Sequence, residues 1–344
     1  MIYAPVLIPT LCRADHFIRC LESLKKNTWA KYTEVYIAVD YPAKESHWDG
    51  YKKIVEYLSM ECPEFAGLYV IKRPHNYGAA ANMEALRNLV LKKYDRFIRA
   101  DDDCEFSANF LEYMDRCLEK YENDENIIGV TGYSYPIDWD LGGEYNAFKN
   151  KLIFPMWGTG FWRDKFYKLQ KDIKSGCITE YARHNHVKKK DMTTARYLDL
   201  LDGTFNYNPK NLTILFSDVA CGCYMQLFNK YIITPSISKV RNYGFDGSGV
   251  YCNNVWQNNK KRISATNYVY AKQRIDQEMN FSLNVTEKCD FDTNRKKLNQ
   301  FDRRKYQSVL YSSIRFHIKK IIIMVIGEEK YINIMRKRKN SDRK

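Results

Sequence analysis

The sequence contains no run of about 18 apolar residues, so no stretch of it reads as a membrane span. Its opening, Met1-Ile2-Tyr3-Ala4-Pro5-Val6-Leu7-Ile8-Pro9, lacks a basic leader and is broken by two prolines, which argues against a secretion signal. No Cys-x-x-Cys occurs among the ten cysteines, and Cys221-x-Cys223 is the nearest approach. That disfavours zinc and reads instead as reduced, buried or half-buried thiols. Glycine is absent from Pro9 to Asp15, where a sugar-phosphate nucleotidyltransferase would need a glycine-rich loop. Acidic residues are scarce at the far end. From Arg295 to Lys344 there are 4 Asp/Glu against 16 Lys/Arg, so nearly all of the net charge of +14 sits there. A near-neutral body argues against a nucleic-acid groove, and the basic tail points to an anionic surface.

What is present describes a globular enzyme-sized chain. At 344 residues with 45% apolar and 15% aromatic content, it can bury one large core or two smaller ones. Tyr3 to Pro9 reads as a buried strand, followed by a polar turn and a helix from His16. Val35 to Val39 is a second strand ending on Asp40, and a helix is expected from Trp48 to Ser59. Gly67 to Lys72 forms the third strand. The loop Arg73 to Asn82 then leads into a helix through Leu91. Arg96 to Ala100 is the fourth strand. Strand–helix alternation of this kind predicts a parallel α/β sheet, in which ligands bind beyond the carboxyl ends of the strands. Thr10, Arg13, Asp40, Arg73 and Asp101-Asp102-Asp103 all fall at that edge.

Three consecutive aspartates repel one another unless a cation or hydrogen-bond donors lie between them. Hard divalent metals accept one or two protein carboxylates and take phosphate oxygens for the rest of their shell. The triple aspartate therefore reads either as a metal–diphosphate site or as a solvated acidic turn, with Ser107 capping the helix that follows.

The order of these features resembles the nucleotide-sugar half of GT-A glycosyltransferases over roughly residues 3 to 255. The carrying residues are Pro9-Thr10, Asp40, Asn76-x-Gly78…Asn82, Ala100-Asp101-Asp102-Asp103…Ser107-x-Asn109-Phe110 and Asn242-Tyr243-Gly244-Phe245-Asp246-Gly247-Ser248-Gly249. The likeness is to the inverting family 2 enzymes of bacterial polysaccharide synthesis and to the N-acetylglucosaminyltransferase I type. It implies a GT-A domain over 1–258, with a nucleotide-sugar-binding half (1–110) and an acceptor half with a lid (111–258), and a C-terminal extension over 259–344. It further implies that Thr10, Arg13 and Asp40 contact base and ribose, that Asp101 lies near ribose or diphosphate, and that Asp103 ligates Mn²⁺ or Mg²⁺. Asp102, Arg73, Gly78, Asn82, Trp157, Gly244 and Asp246 complete the expected donor site. Related sequences often carry a histidine two residues after the last glycine, where Tyr251 stands here.

In the second half, Phe154-Pro155-Met156-Trp157-Gly158-Thr159-Gly160-Phe161-Trp162-Arg163-Asp164 suits either a sugar ring's apolar face or plain core packing. Asp218, at the end of a strand-like run and the start of a helix, is the expected acceptor base, with Asp164 in reserve. A helix start would also lower its basicity. The His184–Lys190 cluster reads as a solvated loop, and the three glycines from 244 to 249 as a lid over phosphate. Apolar patches between basic blocks beyond Gln300 fit an interfacial helix on an anionic leaflet. The expectation is a cytoplasmic transferase, peripheral on the inner face of the cell membrane. It would move sugar from a nucleoside-diphosphate donor to a lipid-linked or surface saccharide. The alternatives are a nucleotidyltransferase or a non-catalytic basic binding module.

Overall fold

A computed structural model describes residues 1–185, 187, 216–246, 248, 273–301 and 303–341. The first half alternates as expected: β1 (Val6–Thr10), α1 (Ala14–Lys25), β2 (Glu34–Val39), α2 (Trp48–Tyr57), β3 (Gly67–Lys72), α3 (Ala79–Val90) and β4 (Arg96–Arg99). Next come β5 (Cys104–Phe106), α4 (Phe110–Lys120), β6 (Ile127–Thr131), β7 (Ala147–Asn150), β8 (Thr159–Trp162), α5 (Arg163–Lys174) and α6 (Cys177–His184). The remaining described elements are α7 (Asp218–Leu227), β9 (Tyr231–Pro235), β10 (Val240–Asn242), β11 (Val285–Thr286), α8 (Phe291–Phe301), α9 (Arg303–Ile326) and α10 (Glu328–Ser341).

Nine strands form one sheet in the order β11-β7-β9-β6-β8-β4-β1-β2-β3, and β10 pairs with β5 in a separate two-stranded ribbon. The strands β3, β2, β1 and β4 are mutually parallel. β8 runs antiparallel to both of its neighbours, β4 and β6. The strand order reverses between β1 and β4, and in open α/β sheets such a switch point opens a crevice beyond the strands' carboxyl ends. Val6, Leu7, Ile8, Val35 and Ile37 are wholly buried, which is why β1 and β2 read as continuous apolar runs and not as alternating ones.

The chain divides into two compact units whose segments alternate along the sequence. One holds Met1–Lys149, Pro155–Phe166 and Ile232–Cys289; the other holds Asn150–Phe154, Tyr167–Tyr231 and Asp290–Lys344. The division expected at residue 258 lies outside the described residues, as does most of the His184–Lys190 cluster. In the second unit the Tyr224 hydroxyl donates to Asp172 Oδ2 at 3.0 Å and its ring lies 4.8 Å from that of Phe228. Phe316 of α9 and Tyr331 and Ile332 of α10 are buried, so the tail helices are folded parts of this unit.

One local expectation is corrected and one open reading is narrowed. Ser107 does not cap α4: its hydroxyl donates to Asn109 Oδ1, and α4 starts at Phe110 with no side-chain cap. The aromatic run of 154–164 supplies β8 to the middle of the sheet. Phe161 stacks on Phe97 at 5.6 Å, and Trp162 Nε1 donates to the Leu118 carbonyl. Core packing, not a sugar, claims both rings.

Candidate active site

The crevice at the switch point is lined first by charge. The Thr10 hydroxyl, at the end of β1, donates to Asp102 Oδ2 at 2.9 Å. Arg13, in the turn before α1, bonds to Asp102 and reaches Asp103 Oδ2 with Nη1 at 2.9 Å. Arg99, the last residue of β4, donates to Asp101 Oδ1 at 2.9 Å. Three carboxylates thus face two guanidiniums, and one negative charge is left over. Burial pushes the Asp103 carboxyl up to about 6; Arg13 opposes this, and Asp101 and Asp102 add to it. Asp102, buried, is likewise raised by that burial against the pull of Arg13 and Thr10.

The second motif arrives on the ribbon. β10 pairs antiparallel with β5 in the register Val240↔Phe106, Arg241↔Glu105 and Asn242↔Cys104. The ladder continues with Tyr243 N donating to the Asp103 carbonyl at 2.8 Å. Asn242 Nδ2 donates to Asp103 Oδ1 at 2.9 Å, while its Oδ1 accepts from Gly244 N at 2.8 Å. A Cβ built on Gly244 would lie 2.1 Å from Asp103 Oδ2. Close approach, not backbone strain, requires glycine here. Asp246 accepts from Ser248 and sits 2.8 Å from His16 Nε2 on α1. Despite partial burial, the bonds from Ser248 and His16 hold its carboxyl down at about 2. Phe245 packs edge-on to Trp157 at 5.6 Å, and Trp157 packs against Tyr133 at 4.6 Å.

Asp40 shapes the neighbouring loop. Its carboxylate accepts from Tyr41 N, Tyr77 N and Gly78 N at 2.8–2.9 Å. Gly78 has φ +78° and precedes α3, a backbone conformation that glycine adopts without penalty. Arg73 donates to Asn82 Oδ1 at 2.7 Å, and buried Asn82 donates to the Ala38 carbonyl at 2.9 Å. Arg73 and Asn82 therefore brace the loop, with Arg73 also lying over the Tyr77 ring and Asn82 wholly inside the fold.

The remaining expected residues fall elsewhere. Asp164 follows β8, whose Trp162 pairs with Arg96 at the amino end of β4. It is an exposed residue at the opposite edge of the sheet from Asp101, which removes it as a reserve base. Asp218 opens α7 in the second unit, with Ser217 capping the helix by accepting from Ala220 N at 3.2 Å. Its Oδ1 accepts from Val219 N at 2.9 Å. Residues 211–215 of its predicted strand, and Gly247, Gly249 and Tyr251, lie outside the described residues.

Sequence reasoning passed over His16 and Gln273. Gln273 brackets the ribbon's end: its Oε1 accepts from Asn242 N and its Nε2 donates to Asn242 O, both at 2.8 Å. A lone glutamine in a polar, aperiodic stretch gives no signal of such a contact.

Among the described residues no three His, Cys, Asp or Glu side chains converge into a ready metal cage. The uncompensated charge around Asp103 nonetheless fits a hard divalent cation that draws its other ligands from phosphate and water.

This combination of an α/β sheet, a carboxylate cluster at its switch point and a glycine-bearing ribbon defines a class of nucleotide-dependent transferases. The chain matches Glycosyl transferase family 2 over residues 6–192. It belongs to that family, and it is a glycosyltransferase of the GT-A fold. Similar solved structures include the mannosyltransferase PcManGT from Pyrobaculum calidifontis in complex with GDP-Man and Mn²⁺, at 11% identity and TM-score 0.38 over 98% of this chain and 79% of that one. S. aureus TarS 1–349 is similar at 12% identity and TM-score 0.41, over 99% and 92% of the two chains. Another S. aureus TarS structure is similar at 16% identity and TM-score 0.33 over half of this chain, which covers only 29% of that one. No curated protein matches the chain.

Proposed function

We propose that the protein transfers one sugar from a nucleoside-diphosphate donor, UDP-linked, to a hydroxyl of a lipid-linked or surface saccharide, inverting the anomeric centre. The observation that carries this reading is the excess carboxylate at the switch point, joined to Gly244 by close backbone approach. Asp103 would hold Mg²⁺ or Mn²⁺, with Asp101 beside it. Such a cation, when bound, neutralises charge on the departing diphosphate.

The chain's own groups do the rest. Arg13, half-buried beside Asp103, adds a fixed positive charge where the diphosphate develops negative charge. Thr10 and Asp40 set the walls for base and ribose. The Asn242–Asp246 segment orders over the phosphates and keeps water from the sugar. Trp157 offers a flat apolar face to the sugar ring. The acceptor hydroxyl gives its proton to Asp218 as its oxygen bonds to the anomeric carbon. The bond from that carbon to the diphosphate breaks on the opposite face, and the electron pair leaves with the diphosphate.

The test is a panel of nucleotides with Mg²⁺ or Mn²⁺, read by thermal shift and slow donor hydrolysis. UDP with metal is expected to raise the melting temperature, and Asp103→Ala to abolish the rise. Asp218→Asn should keep the donor-induced rise and lose transfer. A melting temperature unmoved by every nucleotide would sink the reading.

A further inference from the structure

The most exposed apolar surface among the described residues lies on α9. Tyr311, Ile314, Ile318, Ile321 and Val325 recur at spacings of three and four, and Met324 widens the stripe. Met324 is 81% and Val325 77% exposed, values that an interior-facing helix does not show. The helix is oriented against the usual rule for a surface helix. Its buried side carries Phe316 and Lys319, and Lys320 Nζ donates to the carbonyls of Ala182 and Asn185 at the end of α6 at 2.8 and 2.6 Å. Two lysines are thus directed toward the protein while isoleucines face outward. That arrangement is stable only if something apolar covers the stripe.

Charge identifies the occupant. The segment from Arg295 to Lys344 carries 16 Lys/Arg against 4 Asp/Glu, including Arg336-Lys337-Arg338-Lys339 on α10. A second copy laid on the stripe would bring two such segments together, and like charges would oppose the contact. An anionic lipid surface meets both demands, taking apolar side chains between its headgroups and basic ones against them. No described helix is long and apolar enough to cross a bilayer, so the contact is with one leaflet. We infer that the outward stripe of α9, followed in the chain by the basic sequence of α10, docks this protein on an anionic membrane surface.

Vesicle flotation with the full chain tests this, using phosphatidylcholine vesicles with and without phosphatidylglycerol. Binding is expected only with phosphatidylglycerol, and it should weaken steeply with added salt. Met324→Ser/Val325→Ser should weaken it about tenfold or more, and Lys330→Glu/Lys337→Glu should weaken it and make its salt dependence shallower. Each variant should keep the wild-type melting curve and donor hydrolysis, since none of these residues belongs to the carboxylate crevice. Retention that ignores lipid charge or both variants would overturn the inference. So would a concentration-dependent oligomer in light scattering that Met324→Ser/Val325→Ser dissolves.

Discussion

At the scale of single residues, two buried carboxylates behave differently. Burial raises both carboxyls, but Asp103 forms an ion pair with Arg13, whereas Asp115 on α4 meets Arg96 only as a nearby charge. Asp115 Oδ1 accepts from Ala4 N at 2.9 Å, but its Oδ2 is buried without a hydrogen-bond partner. Burial pushes its carboxyl up to about 7, against the Ala4 bond and the charge of Arg96. An acid whose folded pKa is raised binds more protons in the folded chain than in the unfolded one. Stability from this group is full below about pH 4 and is lost as pH rises through about 7. Asp115→Asn should flatten that slope, and chemical denaturation between pH 4 and 8 would show it. The loss avoided at the alkaline end is on the order of 2–4 kcal/mol. Gly244 gives a second expectation. A methyl group there meets the Asp103 carboxylate at 2.1 Å, so Gly244→Ala must push one of them aside. Overpacking of this kind costs about 1–3 kcal/mol, so titration calorimetry should show UDP with metal binding roughly tenfold weaker or worse.

At the scale of elements, the β5–β10 ribbon decides whether the crevice is complete. Gln273 satisfies both backbone groups of Asn242, and Asn242 in turn holds Asp103 and Gly244. Gln273→Ala leaves a buried N–H without an acceptor, a cost of about 1–3 kcal/mol. Donor affinity should fall by roughly tenfold while the overall fold persists, which calorimetric titration and circular dichroism together would report. β1 and β2 were legible because burial on both faces writes them as nearly unbroken apolar runs, while β3 and β4 were placed by their position in the strand–helix alternation. The three aspartates stood out because like charges seldom crowd without a counter-charge. The ribbon was not legible. β5 is three residues long, and its partner lies more than 130 residues onward, beyond the reach of any local pattern. The same limit hid the true place of Asp164. Its sequence neighbours are aromatic and glycine-rich, yet antiparallel pairing carries it to the wrong edge of the sheet. Asn82 misled for another reason, since buried amides that brace loops look in sequence like those that bind ligands.

At the scale of the whole molecule, the two compact units give separate handles on stability. Phe316, Tyr331 and Ile332 are buried within the second unit, so removing residues 303–344 strips part of its core. Losing one buried phenylalanine alone costs about 3–5 kcal/mol. Calorimetry of the truncated chain should show a lowered or missing transition, with UDP and metal still stabilising the unit that holds Asp103. The alternation of segments also bears on how the chain is made. A ribosome that has released the sheet as far as β8 has delivered all three aspartates, Thr10 and Arg13, but neither Asn242 nor Gln273. The newborn sheet must therefore wait with its carboxylates half-dressed. It becomes competent to grip a nucleotide only after roughly 110 further residues, about six to twenty-two seconds of synthesis, have emerged.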